Sequence, residues 1–270
     1  MNTGLDADRY FARIGYSGPR SATLDVLRDL HGLHPAAIPF ENIDVLLKRP
    51  IRLELSAIAD KILARGRGGY CYEQNTLLMA ALQSLGFAVR SVAGRVQLNM
   101  DGVVTARSHM VLLVSLSDGD YIADVGFGGL TLTAPLRLEP DIEQLTPHGT
   151  YRLIRVGAEF QLQARLDCQW TAMYQFSLAE QAPADWDMAN WFISTSPDSI
   201  FTQTLIVARP VGDSRHALRN NRLRVYRPDG TTEQRLLSSP GELADVLRHD
   251  FSLMLPPAEE LADILSIAGV

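Results

Sequence analysis

The spacing of the apolar residues changes near Gly86, and this change limits the folds that the chain can adopt. Up to that point apolar residues recur three and four positions apart, as at Leu24 and Leu27, which is typical of amphipathic helices. From residue 87 to about 178 they alternate in short runs separated by glycine-rich turns, which indicates strands. We therefore expect a bundle of short helices followed by an antiparallel sheet or barrel.

After residue 183 the two patterns mix, which indicates a smaller α/β unit. We expect one helix, two further strands and two terminal helices, over residues 186–193, 204–208, 223–226, 240–248 and 257–264. In the first part, Gly32 and Gly86 stand where helices are expected to end.

Composition narrows the class of protein. The 270 residues carry a formal net charge of −6 with a pI near 5.5, and this argues against a nucleic-acid partner. No apolar run approaches the roughly 20 residues that span a bilayer, and the first twenty residues carry mixed charges, such as Asp6 and Arg9, rather than a cleavable signal. Two cysteines suit a reducing compartment. We expect a cytoplasmic protein with no membrane partner.

Residues 67–75, with the sequence RGGYCYEQN, place Cys71 where a helix is expected to begin. A thiol there faces unpaired backbone N–H groups and the positive end of the helix dipole, and the nearby Arg67 adds positive charge, so the reactive thiolate is favoured. The alternative is that Cys71 is a small apolar filler, as most free cysteines are. Cys168, expected in a strand, is interpreted as structural.

A nucleophilic cysteine needs a base, and that base needs a third group to orient it. His109 opens a very apolar predicted strand, where an imidazole is either a satisfied buried group or a working base. The other five histidines are interpreted differently. His31 and His34 are expected to cap a helix or face solvent, with only a weak hint of metal binding, and the rest are expected at the surface: His148, His216 and His249.

Asp124 lies within an apolar segment, and a buried carboxylate is costly unless it is paired. His109, on the preceding predicted strand, is the obvious partner. A tight hairpin centred between Asp118 and Gly119 would put both groups on one face of the sheet but roughly 13 Å apart. Contact then requires a wider loop, a bulge or strong twist. The alternative is that the two groups belong to separate surface networks.

These segments together resemble the arylamine N-acetyltransferases. The resemblance is carried by the Arg-Gly-Gly-x-Cys-x-Glu-x-Asn motif at 67–75, Ser-His at 108–109 and DVGFG at 124–128, with PFEN at 39–42 and STSPDSIF at 194–201. It implies an α+β fold with a cysteine-protease-like core. It also implies three parts: an N-terminal helical bundle over 1–86 that carries Cys71, a central antiparallel β-barrel over 87–182 that carries His109 and Asp124, and an interdomain segment with a C-terminal α/β lid over 183–270.

By the same resemblance, Cys71, His109 and Asp124 form a catalytic triad. The reaction it implies is a ping-pong transfer of acetyl from acetyl-CoA, through a Cys71 thioester, to the nitrogen of an arylamine, arylhydroxylamine or hydrazine. No metal is expected. The resemblance also suggests positions that line the coenzyme or acceptor site: Phe40, Thr105, Gly126, Phe127, Gly128, Gly129 and Phe201. Without it, the sequence favours an ordinary turn after a strand for the loop 126–129 over a coenzyme site.

Three other functions remain open at this point. The same three side chains serve a thiol protease or amidase, in which water is the acceptor. The same fold could close amide bonds in a biosynthetic pathway from a tethered acyl group. A binding module that kept the scaffold would instead have an unreactive Cys71.

Overall fold

A computed structural model describes residues 4–100 and 102–269 and has the α+β fold class expected from the sequence. Helices dominate the first third, an eight-stranded antiparallel sheet follows, and a five-stranded sheet lies beside the last helices. The boundaries 1–86, 87–182 and 183–270 stay a prediction, because the parts share elements. Strand β1, at Phe40–Glu41, pairs with Ala208 and Val207 of the C-terminal sheet.

The N-terminal helices bury the apolar residues that the spacing singled out, among them Tyr10, Leu27 and Leu30. Gly86 follows the last of them, as expected, but Gly32 does not end its helix, which continues through Pro35. Gly32 and Pro35 have poor helix propensity, but the burial of this helix, as at Leu30, outweighs it. The helices are α1 (Ala7–Ile14), α2 (Leu24–Ala37), α3 (Ile43–Leu46), α4 (Leu55–Ala59), which runs on as a π-helical turn over Asp60–Ala64, and α5 (Cys71–Ser84).

The larger sheet has the strand order β5-β4-β3-β2-β9-β8-β7-β6, and it curls around an apolar core. Its strands are β2 (Ala88–Val96), β3 (His109–Leu116), β4 (Gly119–Ala123), β5 (Leu136–Arg137), β6 (Gln144–Thr146), β7 (Gly149–Val156), β8 (Glu159–Leu166) and β9 (Gln169–Glu180). Cys168 was expected in a strand, and this is wrong. It lies in the two-residue turn between β8 and β9 with φ 62°, and it is exposed.

The smaller sheet has the order β1-β10-β11-β12-β13, and one face packs on the C-terminal helices. The elements are α6 (Pro183–Thr195), β10 (Ile206–Val211), β11 (Ser214–Arg219), β12 (Arg222–Tyr226), β13 (Thr232–Leu236), α7 (Pro240–His249) and α8 (Ala258–Ala268). A short 3₁₀ turn, Ile200–Thr202, connects α6 to β10. Within the described residues, no helix combines the length and apolarity that crossing a membrane requires.

Candidate active site

Cys71 is the first residue of α5, so its backbone N–H has no acceptor within the helix. Its side chain is only 7% exposed. Two neighbouring positions leave no room for a side chain. A Cβ at Gly126 would lie 2.6 Å from the Cα of Cys71, and one at Gly68 would lie 2.1 Å from the Pro39 carbonyl oxygen. Glycine at these positions allows the loops before α5 and after β4 to close around the thiol.

Behind Cys71 lies a group of buried charged side chains, which we call the ionic cluster: Glu41, Asp44, Lys61, Arg67 and Glu73. Lys61 Nζ lies 2.8 Å from Glu73 and 3.2 Å from Asp44. The guanidinium of Arg67, expected from the sequence to act on the thiol, instead pairs with Glu41 at 2.9 Å and Asp44 at 3.3 Å. The Glu73 carboxylate also accepts the Tyr70 backbone N–H at 3.1 Å, which fixes the first turn of α5.

His109 and Asp124 make direct contact, with 2.7 Å between Nε2 and Oδ2. The expected separation was wrong because the hairpin turns earlier. Leu116 pairs with Gly119, so the turn is centred between residues 117 and 118, and the register shifts by two. The ladder ends at Leu112 and Ala123, and its continuation puts Asp124 diagonally across from His109.

The pair is almost completely buried, with Asp124 0% and His109 3% exposed. Burial alone lowers the pKa of His109, but the Asp124 carboxylate and a hydrogen bond with the Cys71 side chain outweigh it and raise this pKa above its usual value. Burial alone raises the pKa of Asp124, while His109 and hydrogen bonds from Asn75 and Gly126 lower it below its usual value. The resting state that these shifts favour is a charged pair.

The His109 ring is held so that one nitrogen meets the acid and the other the thiol. Because Asp124 engages Nε2, Nδ1 is the nitrogen left to interact with the Cys71 side chain, which helps to raise the pKa of His109. The Phe127 ring stands edge-on to the imidazole at 5.2 Å, and the Tyr174 ring lies 4.9 Å away. The Cys71 sulfur also lies 3.9 Å from the Ser108 carbonyl oxygen. The arrangement can move a proton between sulfur and imidazole while the carboxylate balances the charge.

Several groups that hold this pair were missed by the sequence reasoning. Asn75, one turn into α5, donates to the Asp124 carboxylate at 3.0 Å and accepts the Val125 N–H at 3.0 Å. Its place in the motif at 67–75 was the available signal. His31 accepts the Asp124 backbone N–H at 3.0 Å. The expectation that His31 and His34 cap a helix or face solvent is wrong, because both are 0% exposed.

The predicted binding residues fall into two groups. Phe40 packs in the apolar cluster that contains Cys71, and Phe201 packs against it, with the two ring centroids 6.1 Å apart. A Cβ at Gly128 would lie 3.6 Å from the Phe40 ring. Together with Gly126 and Phe127 at the triad, these residues surround the thiol.

Thr105 and Gly129 lie farther out. Thr105 donates to the Val96 carbonyl at 2.7 Å and anchors the loop before β3 to the end of β2. Gly129 faces the smaller sheet, where a Cβ would lie 3.7 Å from that of Ala217. That any of the seven residues contacts coenzyme or acceptor stays a prediction.

Comparisons with known proteins agree with this geometry. The sequence profile of the N-acetyltransferase family matches residues 23–260. An arylamine N-acetyltransferase of Escherichia coli is 42% identical over 253 residues, which cover 93% of this chain and 90% of that protein. This chain belongs to the arylamine N-acetyltransferase family. A Salmonella typhimurium relative, named arylamine N-acetyltransferase / N-hydroxyarylamine O-acetyltransferase, is 42% identical over 90% of this chain and 87% of its own length.

Solved structures of the family superpose over nearly the whole chain. The arylamine N-acetyltransferase of Mycobacterium marinum has a TM-score of 0.94 at 40% identity and covers 97% of this chain and 100% of its own. The same bacterium's enzyme in complex with CoA has a TM-score of 0.92 at 40% identity, over 97% and 98% of the two chains. The resemblance seen in the sequence and the α+β fold that it implied are confirmed.

Proposed function

We propose that this protein transfers an acetyl group from acetyl-CoA to the nitrogen of arylamines, arylhydroxylamines or hydrazines, with Cys71 as the covalent carrier. One observation carries the proposal. A buried His109–Asp124 pair at 2.7 Å lies beside the thiol at the first residue of a helix, and the Cys71 side chain helps to raise the pKa of His109. The names of the E. coli and Salmonella relatives and the CoA complex of the M. marinum enzyme support the substrates.

The first half-reaction loads the cysteine. The proton of the Cys71 thiol resides on Nδ1 of His109 in the charged resting state, and the thiolate attacks the thioester carbonyl of acetyl-CoA. The bond between that carbonyl and the coenzyme sulfur breaks, and the departing coenzyme thiolate takes the proton from the imidazolium. Asp124 stabilises the imidazolium while it exists, which is why a lone imidazole would serve less well.

The second half-reaction transfers the acetyl group. The neutral amine attacks the Cys71 thioester, His109 takes a proton from the amine nitrogen, and the Cys71 sulfur leaves. Negative charge builds up on the carbonyl oxygen in both half-reactions. The unpaired N–H of Cys71 at the start of α5 is positioned to donate to it.

The coenzyme is assigned to the surface that leads away from the thiol past Phe40. One face of the smaller sheet is continuous there, with Phe40 beside Ala208, Ala208 beside Ala217, and Ala217 beside Arg224. Three strand spacings cover about 14 Å, which suits an extended pantetheine arm. The exposed arginines on this face, Arg219, Arg222 and Arg224, suit its phosphates.

The acceptor is assigned to the aromatic side of the thiol. Phe40, Phe127 and Phe201 would contact its ring, and Thr105 and the 126–129 loop would border the route that coenzyme and acceptor share. The proposal keeps the cytoplasmic location expected from the composition, where acetyl-CoA is available.

Mass spectrometry after rapid quenching tests the proposal. Incubation with acetyl-CoA is expected to add one acetyl group to Cys71, identified by peptide mapping, and addition of an arylamine is expected to remove it. The two cysteines provide a matched pair of variants. Cys71→Ala should lose the adduct and the transfer of acetyl, whereas Cys168→Ala, at an exposed turn, should keep both. Turnover by Cys71→Ala would end the proposal.

The rival functions give different results in the same assay. A thiol hydrolase would release acetate or cleave amides at a rate that added arylamine does not change. An amide synthase specialised for tethered acyl groups would leave Cys71 unacetylated by acetyl-CoA. A binding module would leave Cys71 unreactive towards iodoacetamide at every pH below about 8.5.

A further inference from the structure

The Asp124 backbone has no strand partner at the position where its side chain must be held. Strand β4 ends at Ala123, and the last pair of its ladder with β3 is Leu112 and Ala123. A buried backbone N–H without an acceptor is costly, so another group must receive that of Asp124. The acceptor is Nε2 of His31, at 3.0 Å, which comes from α2 and not from the sheet.

Every polar atom of Asp124 is then occupied. Its carbonyl accepts the Thr131 hydroxyl at 3.1 Å, Oδ1 accepts Asn75 and the Gly126 N–H at 3.0 and 2.9 Å, and Oδ2 meets His109. The carboxylate is thus held by three groups, and the backbone is held at its N–H by His31 and at its carbonyl by Thr131. Loss of the His31 contact would free the residue to rotate about the bond that aims its carboxylate at His109.

His31 is suited to this role only as a neutral ring. A backbone N–H can only donate, so Nε2 carries the lone pair and the ring proton sits on Nδ1. Complete burial lowers the pKa of His31 to about 4, despite the opposing effect of Asp124. The ring therefore stays an acceptor throughout the neutral range.

The next turn of the same helix carries a second buried histidine, which links α2 to α1 and α5. His34 contacts the Tyr10 hydroxyl of α1 through Nδ1 at 2.9 Å and Gln74 of α5 through Nε2 at 2.7 Å. Gln74 in turn donates to the Gly69 and Pro39 carbonyls, in the loops on which α5 begins. One helix thus connects the element that carries the thiol with the residue that carries the acid.

From this arrangement we propose that His31 is a positioning residue, which sets the carboxylate of Asp124 against His109 by fixing its backbone. The inference rests on the proposed function, since it assigns His31 a role through the triad. It gives the His-x-x-His spacing of α2 a purpose other than capping or metal binding.

Three variants separate positioning from mere stability. His31→Leu removes the acceptor and keeps an apolar filler. His31→Gln keeps an acceptor oxygen at nearly the place of Nε2. Leu30→Ala, buried in the same helix, lowers stability without removing a bond to Asp124. In folded protein we expect kcat for arylamine acetylation to fall at least about tenfold in His31→Leu, with little change in KM.

The pH dependence of Cys71 alkylation by iodoacetamide is the readout that a structural role would not move. Its midpoint should rise in His31→Leu, recover in His31→Gln and stay at the wild-type value in Leu30→Ala. If His31→Leu keeps the wild-type midpoint and a kcat within about twofold of Leu30→Ala, the inference is wrong. If wild type itself shows no alkylation below about pH 8.5, the proposed function fails instead.

A measurement on wild type covers the case in which His31→Leu does not fold. In ¹⁵N-labelled protein, a scalar coupling across the hydrogen bond should join the Asp124 amide nitrogen to Nε2 of His31. A His31 ring protonated at Nε2 at neutral pH, or the lack of this coupling, would overturn the inference.

Discussion

Two buried polar regions meet at Cys71, and they satisfy their charges in different ways. The ionic cluster on one side joins three carboxylates to Lys61 and Arg67, with several contacts per group. On the other side a single carboxylate, Asp124, faces a single imidazole, and its remaining bonds come from neutral donors. Both regions are buried, but only the second contains an imidazole, which can pass a proton to and from a reacting group.

The difference separates a region that stabilises the fold from a region that is proposed to take part in the reaction. A network of several permanent charges has one dominant protonation state, which suits the rigid start of α5. In the proposed mechanism the His109–Asp124 pair passes between two states, because its imidazole releases a proton to coenzyme A and takes one from the amine. The comparison predicts that damage to the ionic cluster appears in stability, and damage to the pair appears in turnover.

The largest effect is expected for Asp124→Asn. The amide cannot balance the imidazolium and favours the wrong orientation of the ring, so kcat should fall by about 10⁴-fold, the scale seen for such a change in a catalytic triad. Steady-state kinetics with acetyl-CoA and an arylamine measures it. Asp118→Asn, on the exposed turn of the same hairpin, is the control and should stay within about twofold of wild type. Equal losses in the two variants would contradict the role of Asp124.

Lys61→Met should break the ionic cluster and lower the free energy of unfolding by about 3–5 kcal/mol, because three buried carboxylates lose their shared cation. Urea denaturation measures the loss. Arg65→Met removes an exposed cation at the end of the π-helical turn that carries Lys61 and should cost less than about 1 kcal/mol. A Lys61→Met protein that is as stable as wild type but has a reduced kcat would show that the ionic cluster acts in turnover and not in stability.

Acid should destabilise the protein through the two buried histidines of α2. Burial lowers the pKa of His31 to about 4 and that of His34 to about 3, so below pH 6.5 the unfolded chain binds protons that the folded chain does not. The free energy of unfolding should fall by up to about 1.4 kcal/mol per pH unit for each histidine. Urea denaturation between pH 6.5 and 4 measures the slope.

The double variant His31→Gln/His34→Gln is the comparison for that slope and should show a shallower one. His109 does not add to the loss in this range, because its raised pKa gives stability that is complete below pH 6.5 and disappears only as the pH rises. An unchanged slope in the double variant would show that other groups govern acid unfolding.

The smallest effect on stability is expected for an exposed ion pair, and it gives the scale against which the other losses are judged. Glu143 and Arg165 form an exposed ion pair at 3.3 Å. Glu143→Gln should change the free energy of unfolding by less than about 1 kcal/mol, because water and salt screen such pairs. Urea denaturation at two salt concentrations measures it, and a loss comparable with that of Lys61→Met would remove the distinction between buried and exposed charge.

The succession of a helical and a strand region could be predicted because the apolar spacing matches the buried faces, as at Leu27 and Leu30. After residue 183 two strands were expected and the structure has four, so β11 and β13 were missed. The three residues placed at the triad could be found because each sits in a local motif. The contact between His109 and Asp124 could not be derived from spacing, since moving a turn by one residue shifts the register by two. Contacts at the turn, such as the Tyr121 hydroxyl that donates to Asp118 at 2.7 Å, are not visible in the apolar spacing.

The burial of the two histidines of α2 could not be predicted from the sequence for a different reason. His31 and His34 look polar along the chain, and only the packing of α1, α5 and the end of β4 encloses them. The sequence likewise shows Arg67 near Cys71 but gives no sign that two distant carboxylates neutralise it. Long-range partners decide the electrostatics of a site, and they have no local signature.

The short strand β1 has a consequence for how the protein is made. Phe40 and Glu41 emerge early from the ribosome, yet their backbone partners, Ala208 and Val207, are synthesised more than 160 residues later. Until then β1 lacks the strand that pairs with its backbone, and Phe201 is not yet present to pack against Phe40. The nascent enzyme therefore acquires a complete reaction chamber only near the end of translation, and chains truncated before β10 should be both inactive and prone to aggregate.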